Sequence, residues 1–472
     1  MTAMASIAKN YAVQFGGRVV GVLLGLVTLA LMTRALGDAG YGEFTTATTY
    51  LQMVAIVVDA GLTLTFLQLL SQDDVDESRL ARAFFGLRLA LGVVLLGTAA
   101  GLAFLTPYPP AIQWAIAVGS LSYLALSASG MLTGIFQKHL EMKRAVRAEM
   151  IGRLCTLALV WYVAAAEFGV VAMMAATTVG NVVQLLATLR EARPFVSLLP
   201  TVDLSIWRTA LRQSWPIGVS IFFNLLYLKS DIIILGFYFP QSEVGIYGAG
   251  YRFVDVFTAL PVMYMGLVLP QMASAWANKQ REIFQTFFQR TFDVFALFVL
   301  PLVVGTPFVA NALMRLIAGE EFARSGPILS LLMLALIPIF FGALSGHAVV
   351  AIHKQRAVIG WYALTAVFAL AGYFLLIPRF GLPAAALMTV ASELMINLLT
   401  TMVVLRTSHT RLSLHFAGVA LGASAIMALV LWALPSLSLF PTVFIGTTLY
   451  VAAVMALGGV RPAMVRELLF ST

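Results

Sequence analysis

Cysteine is almost absent from this sequence, and charge is scarce. The single Cys155 excludes an internal disulfide, and nothing in the chain calls for an oxidising compartment. Asp, Glu, Lys and Arg make up 11% of the 472 residues, less than half the roughly 25% of soluble domains. Set against 61% apolar residues and a mean hydropathy of +0.94, that scarcity excludes water as the main solvent. Catalytic signatures are lacking too. There is no Gly-rich phosphate loop followed by Lys and Ser or Thr, so the chain does not itself hydrolyse ATP. No serine sits in a nucleophile elbow, and His139, His347, His353, His409 and His415 do not cluster at metal-ligand spacing. No sizeable outer loop is present to carry the acids of a membrane glycosyltransferase or polymerase; the most acidic one holds Glu320 and Glu321 near Arg315 and Arg324.

What the sequence does have is long apolar runs. A helix needs about 20 apolar residues to cross a hydrocarbon core of about 30 Å, and suitable segments run 9–33, 43–70, 80–104, 111–136, 148–166, 169–189 and 215–239. They continue at 248–272, 283–310, 327–350, 358–377, 383–405, 416–434 and 441–457. The expectation is an all-α polytopic membrane protein of about fourteen transmembrane helices. The first run is too long for a cleaved leader and lacks a small-residue cleavage site, so it reads as a retained helix. Loops after even-numbered helices carry Lys138, Lys143, Arg144 and Arg147, then Arg190, Arg193, Arg208 and Arg212, and further on Lys279, Arg281, Lys354, Arg356, Arg406 and Arg411. About 22 of the Lys and Arg residues fall on that side and about 5 on the other, which makes it cytoplasmic and places both termini inside. The net charge of +8 is therefore topological; no basic cluster on a soluble face suggests nucleic acid.

Internal repetition is faint but consistent. Leu36-Gly37-Asp38-Ala39-Gly40-Tyr41-Gly42 is echoed about 203 residues later by Pro240-Gln241-Ser242-Glu243-Val244-Gly245-Ile246-Tyr247. Phe168-Gly169-Val170-Val171-Ala172 is echoed at about 212 residues by Phe380-Gly381-Leu382-Pro383-Ala384. Two parallel six-helix bundles are predicted, at 1–199 and 215–406, with a terminal helix pair and cytoplasmic tail at 407–472. Parallel repeats are a transporter architecture with the site between halves near the midplane. Between the bundles, 200–214 reads as an interfacial linker helix, with Leu204, Trp207 and Leu211 at helical spacing beside Arg208 and Arg212.

Charges inside helices are the candidate site, because each costs roughly 2.5–3.5 kcal/mol at the bilayer centre on insertion scales. Arg18 and Lys229 lie deep in their segments and could hold an anionic headgroup. Arg252 and Asp255 share one helix face at a spacing of three, as a ligand site or a local ion pair. Lys229 and Asp231, two apart, point about 200° away from each other, so one would face a cavity and the other a neighbouring helix. Asp59, Asp231, Asp255 and Glu393 would either bind a coupling cation, Na+ or H+, or balance the buried cations; no other cofactor and no metal is expected. Arg88, Arg153, Arg290 and Asp293 read as snorkelling or structurally paired. Gly17, Gly21 and Gly25 form a packing stripe, and Asn181, Gln184, Asn224 and Asn397 read as interhelical glue.

Residues 10–18, the run from Arg34 to Gly42, Asp59-Ala60-Gly61-Leu62, and Asp231-Ile232-Ile233-Ile234-Leu235-Gly236 followed by Val244-Gly245-Ile246-Tyr247 resemble the polysaccharide-transport, Wzx-like O-antigen flippase branch of the multidrug/oligosaccharidyl-lipid/polysaccharide (MOP) exporter superfamily. The resemblance implies alternating access through a cationic central cavity in the bacterial cytoplasmic membrane. It implies an undecaprenyl-diphosphate-linked oligosaccharide, an O-antigen or exopolysaccharide repeat unit, as cargo. Membrane lipids, a polysaccharide polymerase and chain-length machinery would be its partners. The terminal pair would match the lipid-tail groove of the related lipid II flippases. That branch carries several arginines on its first two helices, whereas only Arg18 fits here. A lipid II or multidrug exporter of the same superfamily is the alternative within transport, and a membrane glycosyltransferase or polymerase the alternative from enzymology.

Overall fold

The computed structural model describes residues 3–72, 75–434 and 437–458, and among them every regular element is helical. The tail expected beyond 457 lies, from 459 onward, outside the described residues. The helices are α1 (Ala3–Asp59), α2 (Leu62–Leu70), α3 (Glu77–Ala103), α4 (Pro110–Lys138), α5 (Met142–Ala165), α6 (Gly169–Ala192) and α7 (Leu204–Tyr238). After them come α8 (Gln241–Ala277), α9 (Arg281–Ala318), α10 (Ser325–Met333), α11 (Leu336–Ala351), α12 (Gln355–Ser408), α13 (His415–Ala433) and α14 (Leu439–Ala456).

Among the described residues twelve helical stretches are long and apolar enough to cross a membrane, and the chain is a multi-pass membrane protein. Two stretches, Gly16–Leu70 and Gln355–Ser408, run 55 and 54 residues, more than twice the roughly 20 that one crossing needs. The backbone turns with positive φ near the middle of each, at Gly37 (φ 66) in α1 and at Gly381 (φ 63) in α12, so each has room for two crossings. The connections between crossings are thus even shorter than hydropathy suggested.

The chain divides into two compact units, Met1–Gly245 and Ile246–Thr472. In the first, small residues let backbones meet, as expected where lipid supplies no hydrophobic drive between helices. A Cβ on Gly152 would press on the Gly180 carbonyl at 2.9 Å, and one on Gly180 would meet the Gly152 carbonyl at 3.0 Å, so α5 and α6 cross backbone to backbone. Gly17 and Gly21 face Val146 and Arg153 of α5, and Arg153 donates to the Gly21 carbonyl at 3.1 Å while pairing with Glu149. The helix α7, read from the sequence as opening the second bundle, packs within the first unit against α1, α2 and α3. Its first turns are continuous with its membrane part, where a separate linker helix was expected.

In the second unit a run of phenylalanines holds α9 to α11: Phe295 and Phe298 both reach Phe340, and Phe292 stacks on Phe341. The Tyr450 hydroxyl donates to the Leu297 carbonyl at 2.7 Å and fastens α14 to the same helix.

Each unit also carries the same internal clasp. In the first, Arg79 of α3 bonds Asp203, and Trp207 donates to the Ala83 carbonyl, both across a separation of 124 residues. In the second, Gln285 of α9 donates to the His409 carbonyl and Gln289 to that of Ser413, again across 124 residues. The segment leaving each bundle is therefore pinned to the bundle's third helix, a match at about 206 residues that sequence similarity alone did not reveal.

Candidate functional site

The second crossing is broken at its middle. Ala60 (φ 39) and Gly61 (φ 78) both take left-handed conformations, ending α1 and restarting the chain as α2. Such a break at membrane depth frees backbone groups that hydrocarbon cannot satisfy. Asp59 answers part of that need, accepting from the Gly61 amide at 3.2 Å and the Thr63 hydroxyl at 2.5 Å. Arg88 of α3 completes the cluster: its Nη2 lies 2.7 Å from Asp59 Oδ1 and 2.6 Å from Thr63 Oγ1, and its Nη1 3.5 Å from the Val58 carbonyl. The Arg88 side chain is 1% exposed and that of Asp59 30%. On the other side, Gly218 of α7 sits against the backbone of Ala60, where a Cβ would meet the carbonyl oxygen at 2.7 Å. Asp59 is thus held by Arg88, which the sequence reading had set aside as structural. Thr63 was not singled out at all; the clue was a hydroxyl four residues after an acid, with glycine between.

Lys229 and Asp231 sit together in the middle of α7, 5% and 0% exposed, with Ser230 between them equally buried. The Asp231 carboxylate accepts from the Ile232 amide at 2.8 Å. Both charges are enclosed although they leave the helix on opposite sides, because α7 is covered all round here: Tyr227, Ile232, Ile234 and Leu235 are buried as well. Helical spacing leaves one of the two an open side, and this stretch has none. Arg18, by contrast, is exposed on α1.

In the second unit Arg252 is exposed and Asp255 half-buried on α8, and Thr258 donates to the Asp255 carbonyl. Glu393 is buried in the second half of α12, in line with Thr389, Asn397 and Thr400 at successive turns. Neighbouring hydroxyls extend that polar line: Tyr373 reaches Thr389 at 3.1 Å and Ser345 reaches Thr400 at 2.7 Å. A carboxylate so placed can hold or release a proton without leaving the helix bundle. Arg290 is exposed, and Asp293 accepts from Gln289 at 2.8 Å. Among the described residues no three His, Cys, Asp or Glu side chains are grouped to hold a metal ion.

The family described as polysaccharide biosynthesis protein matches residues 7–276, more than half of the chain. The succinoglycan biosynthesis transport protein ExoT of Rhizobium meliloti (strain 1021) is 24% identical over 359 residues, covering 74% of this chain and 70% of that protein. The probable flippase AglR of Haloferax volcanii is 22% identical over 450 residues, covering 91% and 90%. The fold is shared with the lipid II flippase MurJ in an inward closed conformation, at a TM-score of 0.78 and 12% identity over 94% of this chain and 98% of that one. It is shared also with an inward-facing multidrug resistance MATE family transporter of the MOP superfamily, at 0.68 and 14% over 84% and 98%.

Proposed function

The chain belongs to the polysaccharide biosynthesis protein family, and on that premise we propose that it is a flippase. Its cargo is an undecaprenyl-diphosphate-linked oligosaccharide, moved across a bacterial cytoplasmic membrane by alternating access. The observation that carries this reading is the retention of ionisable side chains at membrane depth in a chain with no catalytic loop. Arg88, Lys229, Asp231 and Glu393 are all under a tenth exposed, and intramembrane charge marks a transport pathway by default. The names of two relatives, a transport protein of succinoglycan biosynthesis and a probable flippase, support a lipid-linked saccharide over an organic cation.

In this mechanism the diphosphate enters from the cytoplasm and is gripped by Arg18 and Lys229, while the tail stays in lipid. A guanidinium gives a diphosphate bidentate hydrogen bonds and an ammonium a compact charge, each stronger where water is excluded. Lys229 is shut away in the conformation described, so its grip belongs to another state of the cycle, reached when α7 yields. Asp59 and Asp231 balance the buried cations, and Glu393 carries the coupling proton or Na+. Arg18→Ala and Lys229→Ala should each slow translocation of a fluorescent lipid-linked oligosaccharide in proteoliposomes about tenfold or more, the scale of one charge-assisted contact. Unaltered rates in both variants would remove their role. Export of organic cations with no effect on lipid diphosphates would instead favour the drug-exporter reading that the MATE likeness raises.

A further inference from the structure

The start of α7 offers a surface that the transport cycle does not use. Its packed side is settled: Ala210 and Ser214 are buried, Ile206 packs into the core under α3, and the Trp207 indole donates to the Ala83 carbonyl at 2.8 Å. The Asp203 side chain caps the helix at the Ile206 amide and is bridged by Arg79 at 2.7 Å, so its charge is already matched. The opposite side carries Leu204, Arg208, Leu211, Arg212 and Trp215, at helical spacing along one exposed stripe about 16 Å long. Leu211, the least exposed of its three large apolar residues, still shows 41% of its surface. Just upstream, Leu199 and Val202 are exposed as well, in the segment tied to α3 by the Thr201 amide and the Arg82 side chain.

Five large apolar side chains open to the outside would be a liability on a face bathed in water. They are equally unlike a face buried in hydrocarbon, since two arginines share the stripe. The apolar run of α7, 215–239, begins only where the stripe ends. A stripe of leucine, arginine and tryptophan at the edge of a span fits the headgroup layer, where aromatic rings and snorkelling arginines are at home. Every basic residue from 190 to 228 is arginine, the side chain whose planar fork matches a phosphate in two bonds.

We propose that Leu204, Arg208, Leu211, Arg212 and Trp215 form a docking surface for the headgroups of anionic phospholipids. The occupant is a phosphodiester lipid of the leaflet on the arginine-rich side of the membrane, held by its phosphate at Arg208 and Arg212 with its upper acyl carbons against the leucines. The clasp to α3 holds this surface in shape before any lipid arrives. Neither the identity of the cargo nor its path enters the proposal.

The test uses the purified full-length chain and native mass spectrometry against phosphatidylglycerol and phosphatidylcholine of matched chains. Wild type should retain phosphatidylglycerol preferentially, and the preference should fall as ionic strength rises. Removing both arginines in R208Q/R212Q should cut it by an order of magnitude or more, at about fivefold per arginine, while R208K/R212K keeps much of it. Because the salt series needs no variant, a misfolded mutant cannot shield the proposal. Equal retention of the two lipids by wild type overturns it, as does a preference unchanged in R208Q/R212Q. It is also overturned if the two arginines retain a polyprenyl diphosphate in place of the phosphodiester.

Discussion

Neutralising Asp59 should destabilise the protein more than removing the arginine that pairs with it. Asp59→Asn leaves the Arg88 guanidinium charged, 1% exposed and unable to shed its proton. Leaving a buried charge without its partner costs up to about 3–5 kcal/mol, and the Thr63 and Val58 oxygens that remain offset only part of it. Arg88→Met leaves Asp59, which is 30% exposed and keeps the Thr63 hydroxyl and Gly61 amide as donors. Discounted for that exposure, the expected loss is about 1–2 kcal/mol. The double variant Asp59→Asn/Arg88→Met carries no charge at the break and should fall well short of the sum, with a coupling of about 2–3 kcal/mol. Reversible unfolding in bicelles, read by steric trapping, gives all four corners of the cycle. Arg88→Met proving the costlier single change, or the two losses simply adding, would refute a break in the second crossing held by a buried ion pair.

Further outcomes follow from close backbone approach and from the clasp on α3. Gly42→Ala should cost about 1–3 kcal/mol, because a Cβ there collides with the Gln241 carbonyl and the Gly245 amide; Gly97→Ala, with no atom within 4 Å, should be neutral by the same unfolding assay. Arg79 and the Ile206 amide hold the Asp203 carboxyl below the usual carboxylate range. The clasp it makes is therefore fully present above about pH 4 and is lost as pH falls through that lowered value. At neutral pH Asp203→Ala should speed amide exchange across the first turn of α7, and Trp207→Phe should cost about 1 kcal/mol for the lost indole bond.

Hydropathy made most of the helices legible, because a span needs only length and apolar content. Glycine did the rest at Gly37 and Gly381, the positions where the sequence placed turns and where the backbone takes positive φ. The internal break at Ala60 and Gly61 was hidden, since hydropathy is blind to φ. The division of the tenth segment into α10 and α11 was hidden too, although Pro338 in the first turn of α11 lacks the amide a continuous helix would use. At the site, the depth of Lys229 and Asp231 could be read from their place in the run, but their common burial could not. Spacing assumes an open side, and α7 has none at that level. The pairing of Asp59 with Arg88 joins neighbouring segments through side-chain reach that no pattern encodes. Spacing misassigned Trp207 as well: it grouped the indole with Leu204 and Leu211, whereas the bond to Ala83 turns it inward and leaves the two leucines outside.

The most direct measurement reconstitutes the purified chain alone in vesicles and compares a diphosphate-linked oligosaccharide lipid with a phosphate-free lipid bearing the same sugar. The chain should move the diphosphate lipid well above the rate of empty vesicles, leave the neutral one at background, and lose that difference in Lys229→Met. Equal movement of both lipids, or none of either, would contradict a flippase that grips its cargo by buried positive charge.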